Sequence, residues 1–240
     1  MWQALWCNAL DLVSVQRCRC CGGACDAEPP TTSPGQRRLA ICSTCLAELA
    51  LPEGGLQGDQ PLLWCAAAAY AGPWRDLLLR QRPSPDPGLI AALAICLARC
   101  CAGVLPGALL VPIPSWKRRG NPLPALLAAG LAQASGGAAC VAPQLLWRSR
   151  PCLGQHHLGR TMRARNLEGA FAALPALASA GRPVWLVDDI LTTGSTALAA
   201  AQALQDAGHA VQGLLSLART RWSGGRRDLR SAGRHGDGPG

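Results

Sequence analysis

The chain has one lysine, Lys117, one tyrosine, one phenylalanine and two methionines among its 240 residues. Its positive charge is therefore almost all arginine. In a sequence this rich in alanine, glycine and proline, that reads as compositional bias, so no single arginine is assigned a bidentate contact on composition alone. No apolar run reaches the roughly 18 uninterrupted residues of a membrane helix, and the N-terminus lacks the basic flank and cleavage site of a signal peptide. A cytoplasmic protein with no membrane span is expected. Trp2, Leu5, Trp6, Ala9, Leu10 and Val13 recur at helical spacing, which predicts a helix over 1–16 packed on the body rather than a membrane anchor. Charged residues make up only 15% of the chain, yet they sum to a net charge of +9. That excess suits a polyanionic partner, either a phosphorylated metabolite or a nucleic acid. With 49% apolar residues, the chain can bury a sizeable core.

Cysteine is the exception to this scarcity, with thirteen residues. Without a secretion signal these read as thiols or metal ligands, because cytosolic redox buffers oppose disulfides. Cys18-Arg-Cys20-Cys21 and Cys42-Ser-Thr-Cys45 give two C-x2-C pairs, the spacing of a zinc ribbon. Each short turn can present two sulfurs to one tetrahedral ion, and Gly22 allows the left-handed turn after the first pair. The expected ligands of a structural zinc are Cys18, Cys21, Cys42 and Cys45, with Cys20 and Cys25 as open competitors for the first pair. Four thiolates leave no position for a reactive water. Cys65, Cys96, Cys100, Cys101, Cys140 and Cys152 lie in apolar or alanine-rich stretches and read as small hydrophobes. The organisation expected is a helix over 1–16, a zinc-ribbon-like module over 17–60, an α/β domain over 61–219 and a basic tail over 220–240.

The stretch VWLVDDILTTGST, residues 184–196, carries the chemistry. Val184 to Val187 is a continuous apolar run after Gly181-Arg182-Pro183, as expected of a strand buried on both faces of a parallel sheet. Asp188 and Asp189 end the predicted strand. A helix then follows with Leu198, Ala201 and Leu204 on one side, Gly208 stops it, and His209 to Leu217 is the next strand. Ligands of such a βαβ unit sit outside the carboxyl ends of the strands. Thr193, Gly194, Ser195 and Thr196 offer backbone N–H groups at a helix start together with hydroxyls, a combination suited to a phosphate dianion. Carboxylates are acceptors and cannot bind that phosphate; they call for hydroxyl groups or a magnesium ion. A ribose 5-phosphate with a free diol meets both demands.

At these residues the sequence resembles the phosphoribosyl pyrophosphate motif of type I phosphoribosyltransferases. With the paired cysteines, VPIPSWKRRGNPLPALLAAGLA (111–132) and GQHHLGRTMRARNLEGAF (154–171), the chain resembles the ComF family. Members of that family are associated with DNA uptake in natural competence. The resemblance implies a type I phosphoribosyltransferase-like parallel sheet flanked by helices and preceded by the zinc module. It further implies that Asp188 and Asp189 hold ribose hydroxyls or magnesium, while Thr192, Thr193, Gly194, Ser195 and Thr196 cradle the 5′-phosphate. Ala108 to Ile113 reads as the first core strand, followed by a pyrophosphate loop with Pro114, Lys117, Arg118 and Arg119. Asn121 and Pro122 start the next helix. Gln155, Arg165 and Asn166 match a flap; the adjacent His156 and His157 read as solvent-facing.

Purine-salvage relatives place an acid where Thr192 stands, and its absence argues against purine salvage. No catalytic residue is identifiable, and no hood for a nucleobase is recognisable. Leu79-Arg80-Gln81 replaces the family's Leu-Lys-Phe, Arg80 keeping only the charge. Two function classes follow. One is a magnesium-dependent phosphoribosyltransferase with an unidentified acceptor. The alternative is a binding protein that keeps the phosphoribosyl site as a scaffold and engages single-stranded DNA or another competence protein. For the latter, Trp116 beside Lys117 and Arg118 is the one aromatic and basic cluster able to stack on a base.

Overall fold

The computed structural model describes residues 17–25, 39–115, 120–149, 169–176 and 181–220. The helix expected over 1–16 and the tail from 221 onward lie outside the described residues. A six-stranded sheet runs in the order β1-β2-β8-β7-β3-β4, with β1 Leu56–Gly58, β2 Trp64–Ala69, β3 Leu109–Pro112, β4 Cys140–Val141, β7 Val184–Leu191 and β8 Val211–Arg219. All neighbours are parallel except β1, which pairs antiparallel with β2. A separate antiparallel ribbon joins β5, Leu146–Arg148, to β6, Phe171–Ala173.

The apolar run at the start of β7 is buried on both sides, as its continuity predicts. Val184 and Leu186 face a cluster that includes Ala197, Ala200 and Leu204 of α5, Ser195–Asp206. Trp185 and Val187 face the opposite cluster, formed with α2, Gly72–Gln81, α3, Pro87–Cys100, and α4, Leu123–Ala134. Helices α3 and α4 cross closely at Gly130, where an added Cβ would stand 2.6 Å from the Cβ of Ala94. The buried face of α5 comprises Ala197, Ala200, Ala201 and Leu204, leaving Leu198 44% exposed. Leu198 thus departs from the predicted face; the small alanines allow α5 to lie close to the sheet.

The expectation of a first core strand at Ala108 to Ile113 is corrected in its order. β3 occupies that stretch, but β2 comes earlier and lies between β1 and β8. Its sequence, Trp-Cys-Ala-Ala-Ala-Ala, has no β-branched residue, and alanine favours helix when taken alone. Burial decides otherwise: Cys65 to Ala68 are enclosed, and Trp74 of α2 donates from Nε1 to the carbonyl of Leu217, 143 residues later, at 2.9 Å.

The cysteine module carries α1, Ser43–Leu49. Cys18, Leu39, Ile41, Cys42, Cys45 and Leu49 belong to the same buried cluster as Trp74, Leu77 and Leu78 of α2. Arg19 reaches Asp86 at 3.7 Å, and Asp86 caps α3 by accepting the Gly88 N–H at 2.8 Å. The module therefore shares its core with the helices beside the sheet, and β1, within residues 17–60, forms one edge of that sheet. Among the described residues, no helix is long and apolar enough to cross a membrane.

Candidate functional site

The sulfurs of Cys18, Cys21, Cys42 and Cys45 all lie within 4.8 Å of one another. Zinc–sulfur bonds of about 2.3 Å in a tetrahedron set sulfurs about 3.8 Å apart, and Cys21 and Cys42 are separated by 3.8 Å. The donor set and its spacing fit zinc. Burial alone would push the Cys18 thiol up, but backbone N–H groups hold it down to about 6. Its Sγ accepts from Cys42 N at 3.3 Å and from Cys20 N at 3.4 Å. Burial and the neighbouring Cys18 raise Cys20 to about 11. The competition within the first pair is resolved by placement: neither Cys20 nor Cys25 belongs to the four-sulfur group.

The second candidate site lies at the carboxyl ends of β3 and β7. Chain connections leave these two neighbours in opposite directions, β3 toward β4 and β7 toward β8. In open α/β sheets such a reversal, outside the carboxyl ends of the strands, is the usual ligand position. The acids do not end β7, as the sequence predicts; the strand continues to Leu191. Parallel pairing explains the extension, because Ile190 and Leu191 stay in register with Ala218 and Arg219 of β8.

Asp189 is 2% exposed. Its Oδ2 accepts from Arg82 Nε at 2.7 Å and from Asn121 Nδ2 at 2.9 Å; its Oδ1 accepts the Ile190 N–H at 2.9 Å. Burial pushes its pKa up, but the Arg82 bond and charge, with help from Asp188 and Asn121, hold it below the ordinary carboxylate value. Asp188 is half-buried and accepts the Asp189 N–H at 2.8 Å. Burial, then the charge of Asp189, raises Asp188 well above that value. The pair is thus an ionised inner acid beside an outer acid held toward its protonated form.

Behind the acids, the turn leads into α5 through Gly194, whose φ is 78°. An added Cβ at Gly194 would meet Pro61 Cγ at 2.2 Å, so both conformation and space require glycine. Thr193 Oγ1 and Ser195 Oγ lie 3.0 Å apart. Ser195, Thr196 and Ala197 open the helix, where backbone N–H groups have no intrahelical acceptor. Thr192 is exposed at the lip.

Several supporting residues escaped the sequence reading. Arg82, not Arg80, reaches the acid pair, from the turn between α2 and α3. Arg219, 7% exposed at the end of β8, donates through Nη1 to the carbonyls of Leu191 and Thr192, and Thr220 N–H reaches Leu191 O at 3.0 Å. These bonds tie the Leu191 and Thr192 carbonyls to the end of β8. Pro114 is half-buried, and its carbonyl accepts from Arg148 Nε at 3.1 Å. This joins the loop after β3 to the β5–β6 ribbon. Asn121 Oδ1 accepts the Leu123 N–H at 3.2 Å; α4 starts one residue later than the sequence predicts, with Pro122 rather than Asn121 at the N-cap. Lys117, Arg118, Arg119 and Trp116 lie outside the described residues, as do Gln155, His156, His157, Arg165, Asn166 and Cys152. No local signal marks Arg82 or Arg219, since each meets its partners only through the tertiary fold.

No family model matches the chain, and no curated protein matches it. Among solved structures, the adenine phosphoribosyltransferase of Leishmania donovani is similar at 18% identity over 60% of this chain and 50% of that one, with a TM-score of 0.27. The adenine phosphoribosyltransferase of Leishmania tarentolae is similar at 16% identity over 61% of this chain and 68% of that one, with a TM-score of 0.25. The chain thus spans half the length of the first of these proteins. Likenesses this distant carry no weight for activity or substrate. The mostly parallel sheet flanked by helices and the four-cysteine cluster stand on the chain's own geometry.

Proposed function

We propose that this is a phosphoribosyltransferase-like protein that binds phosphoribosyl pyrophosphate, or a related ribose phosphate, in the crevice between β3 and β7. The observation that carries the reading is the junction of an acid pair with a hydroxyl-rich helix start on β7, the strand beside the switch point. Acceptors for a diol and donors for a phosphate adjoin there, and few ligands other than a sugar phosphate need both. Thr193 to Thr196 would receive the 5′-phosphate, and the end of β7 that carries the acid pair would lie on the ribose side. Pro114, Lys117, Arg118 and Arg119 belong to the proposed pyrophosphate loop, and Gln155, Arg165 and Asn166 to the proposed flap. Magnesium suits such a site, being bound by one or two carboxylates together with substrate phosphates; it would neutralise charge on the departing pyrophosphate.

The ComF assignment and its association with DNA uptake belong to this proposal and rest on the sequence motifs. So does a structural zinc on Cys18, Cys21, Cys42 and Cys45, which the four-sulfur geometry supports. Calorimetric titration with phosphoribosyl pyrophosphate and magnesium tests the ligand. Saturable binding that is lost in Asp188→Asn/Asp189→Asn supports it; equal or tighter binding by that variant overturns the ribose assignment. Isotopic pyrophosphate release against a panel of nitrogen acceptors then separates a transferase from a protein that only binds.

A further inference from the structure

We propose that the two acids do different work: Asp189 is an internal anchor set by Arg82 and Asn121, Asp188 alone is presented to the ligand, and Arg82 is a positioning residue for the site. The inference rests on the ribose reading of the crevice and deepens it. Asp189 is enclosed and held by side chains from two distant segments, Arg82 and Asn121. Asp188, its neighbour at the same end of β7, is half-buried and accepts the Asp189 N–H at 2.8 Å.

A carboxylate has about four acceptor sites. On Asp189, Oδ2 receives two side-chain donors and Oδ1 a backbone donor, all within a group that is 2% exposed. A ribose diol would have to displace Arg82 or Asn121 to reach it. Both partners donate to Asp189 rather than Asp188, and they come from different segments: Arg82 follows α2, and Asn121 precedes α4. The inner acid thereby pins the α2–α3 turn and the loop after β3 to the central strand, at the height where the outer acid meets the crevice.

The test compares Asp188→Asn, Asp189→Asn, Arg82→Met and the Arg82→Met/Asp189→Asn double variant by titration with phosphoribosyl pyrophosphate and magnesium, with melting temperatures measured in parallel. Asp188→Asn is expected to weaken affinity at least tenfold without lowering the melting temperature. Asp189→Asn and Arg82→Met are each expected to lower melting by about 5 °C or more and to weaken binding. The double variant should bind no worse than Asp189→Asn alone, because the arginine acts through that acid. Arg82→Lys, which retains a cationic donor, should recover part of the loss of affinity in Arg82→Met; a merely structural role for the arginine stem would give no such rescue. Equal loss of affinity in Asp188→Asn and Asp189→Asn with both melting temperatures unchanged would overturn the division. If the wild type binds no phosphoribosyl pyrophosphate, the proposed function and the ligand role of Asp188 fail together, while the melting series still decides whether Asp189 is the anchor.

Discussion

The four-cysteine cluster and the acid pair are two solutions to crowded negative charge. In the first, four cysteine sulfurs converge within 4.8 Å, and the donors near them are backbone N–H groups; such a donor set suits a divalent cation. In the second, the protein supplies the compensation itself, with Arg82 and Asn121 on the inner acid and the outer acid held toward its neutral form. The first arrangement would be completed by an ion from solution. The second depends on residues far apart in the chain, so substitution breaks it more readily than a change of medium does.

Stripping the proposed zinc should have the largest effect. Structural zinc contributes apparent binding free energies of about 10–16 kcal/mol in small zinc modules, and here the module shares its core with α2 and α3. Elemental analysis should find one zinc per chain, and strong chelation should lower the melting temperature of the whole described fold. Zinc-free protein with unchanged melting would show that the cysteines need no ion. Asp189→Ala comes next. Breaking a buried ion pair costs about 3–5 kcal/mol, and the 43% exposure of the Arg82 side chain reduces this to about 2–3 kcal/mol. Urea denaturation checks that figure, and a loss below about 0.5 kcal/mol would remove the anchor from the comparison.

Gly194→Ala should cost about 1–3 kcal/mol for the left-handed conformation, with more from contact with Pro61, and should abolish the phosphate binding proposed at the turn. The acids also predict opposite pH dependences. Asp189, with its folded pKa lowered, stabilises the fold above its ordinary value near 3.8, and that contribution is lost as pH falls through the folded value. Asp188, with its folded pKa raised, favours the fold at low pH and loses that contribution as pH rises from about 3.8 toward the folded value. Asp188→Asn should therefore melt above wild type at pH 7, by a margin that shrinks toward pH 4; a constant margin would contradict the raised pKa. Arg19→Ala should have the smallest effect, under about 1 kcal/mol, because its 3.7 Å pair with Asp86 is solvent-exposed. A larger loss in urea denaturation would mean that this contact holds the cysteine module in place.

What could be read from the chain beforehand follows from the range of the interactions. The C-x2-C pairs, the apolar start of β7, the glycine before α5 and the stop at Gly208 are local patterns, each set by a few neighbouring residues. The strand at Trp64–Ala69 was hidden because alanine carries no strand signal and only enclosure between neighbours makes it one. Arg82 lies 107 residues before its partner Asp189, and Asn121 lies 68 before it, so spacing contains no trace of either contact. The acids were legible as an acceptor pair, but their asymmetry was not, since it arises from which of the two acids the distant donors reach.

The placement of β2 against β8 has a consequence for the order in which the molecule can be made. β2 pairs with Leu214 to Arg219, and Trp74 hydrogen-bonds to Leu217. At roughly 5–20 residues per second, a ribosome needs on the order of ten seconds to supply the strand that completes this part of the sheet. Until then β2 has β1 on one side and an open row of backbone donors and acceptors on the other. The nascent chain passes through a stage in which an alanine-rich strand awaits its partner, and a transcript cut short before β8 would leave that edge free to pair with another chain.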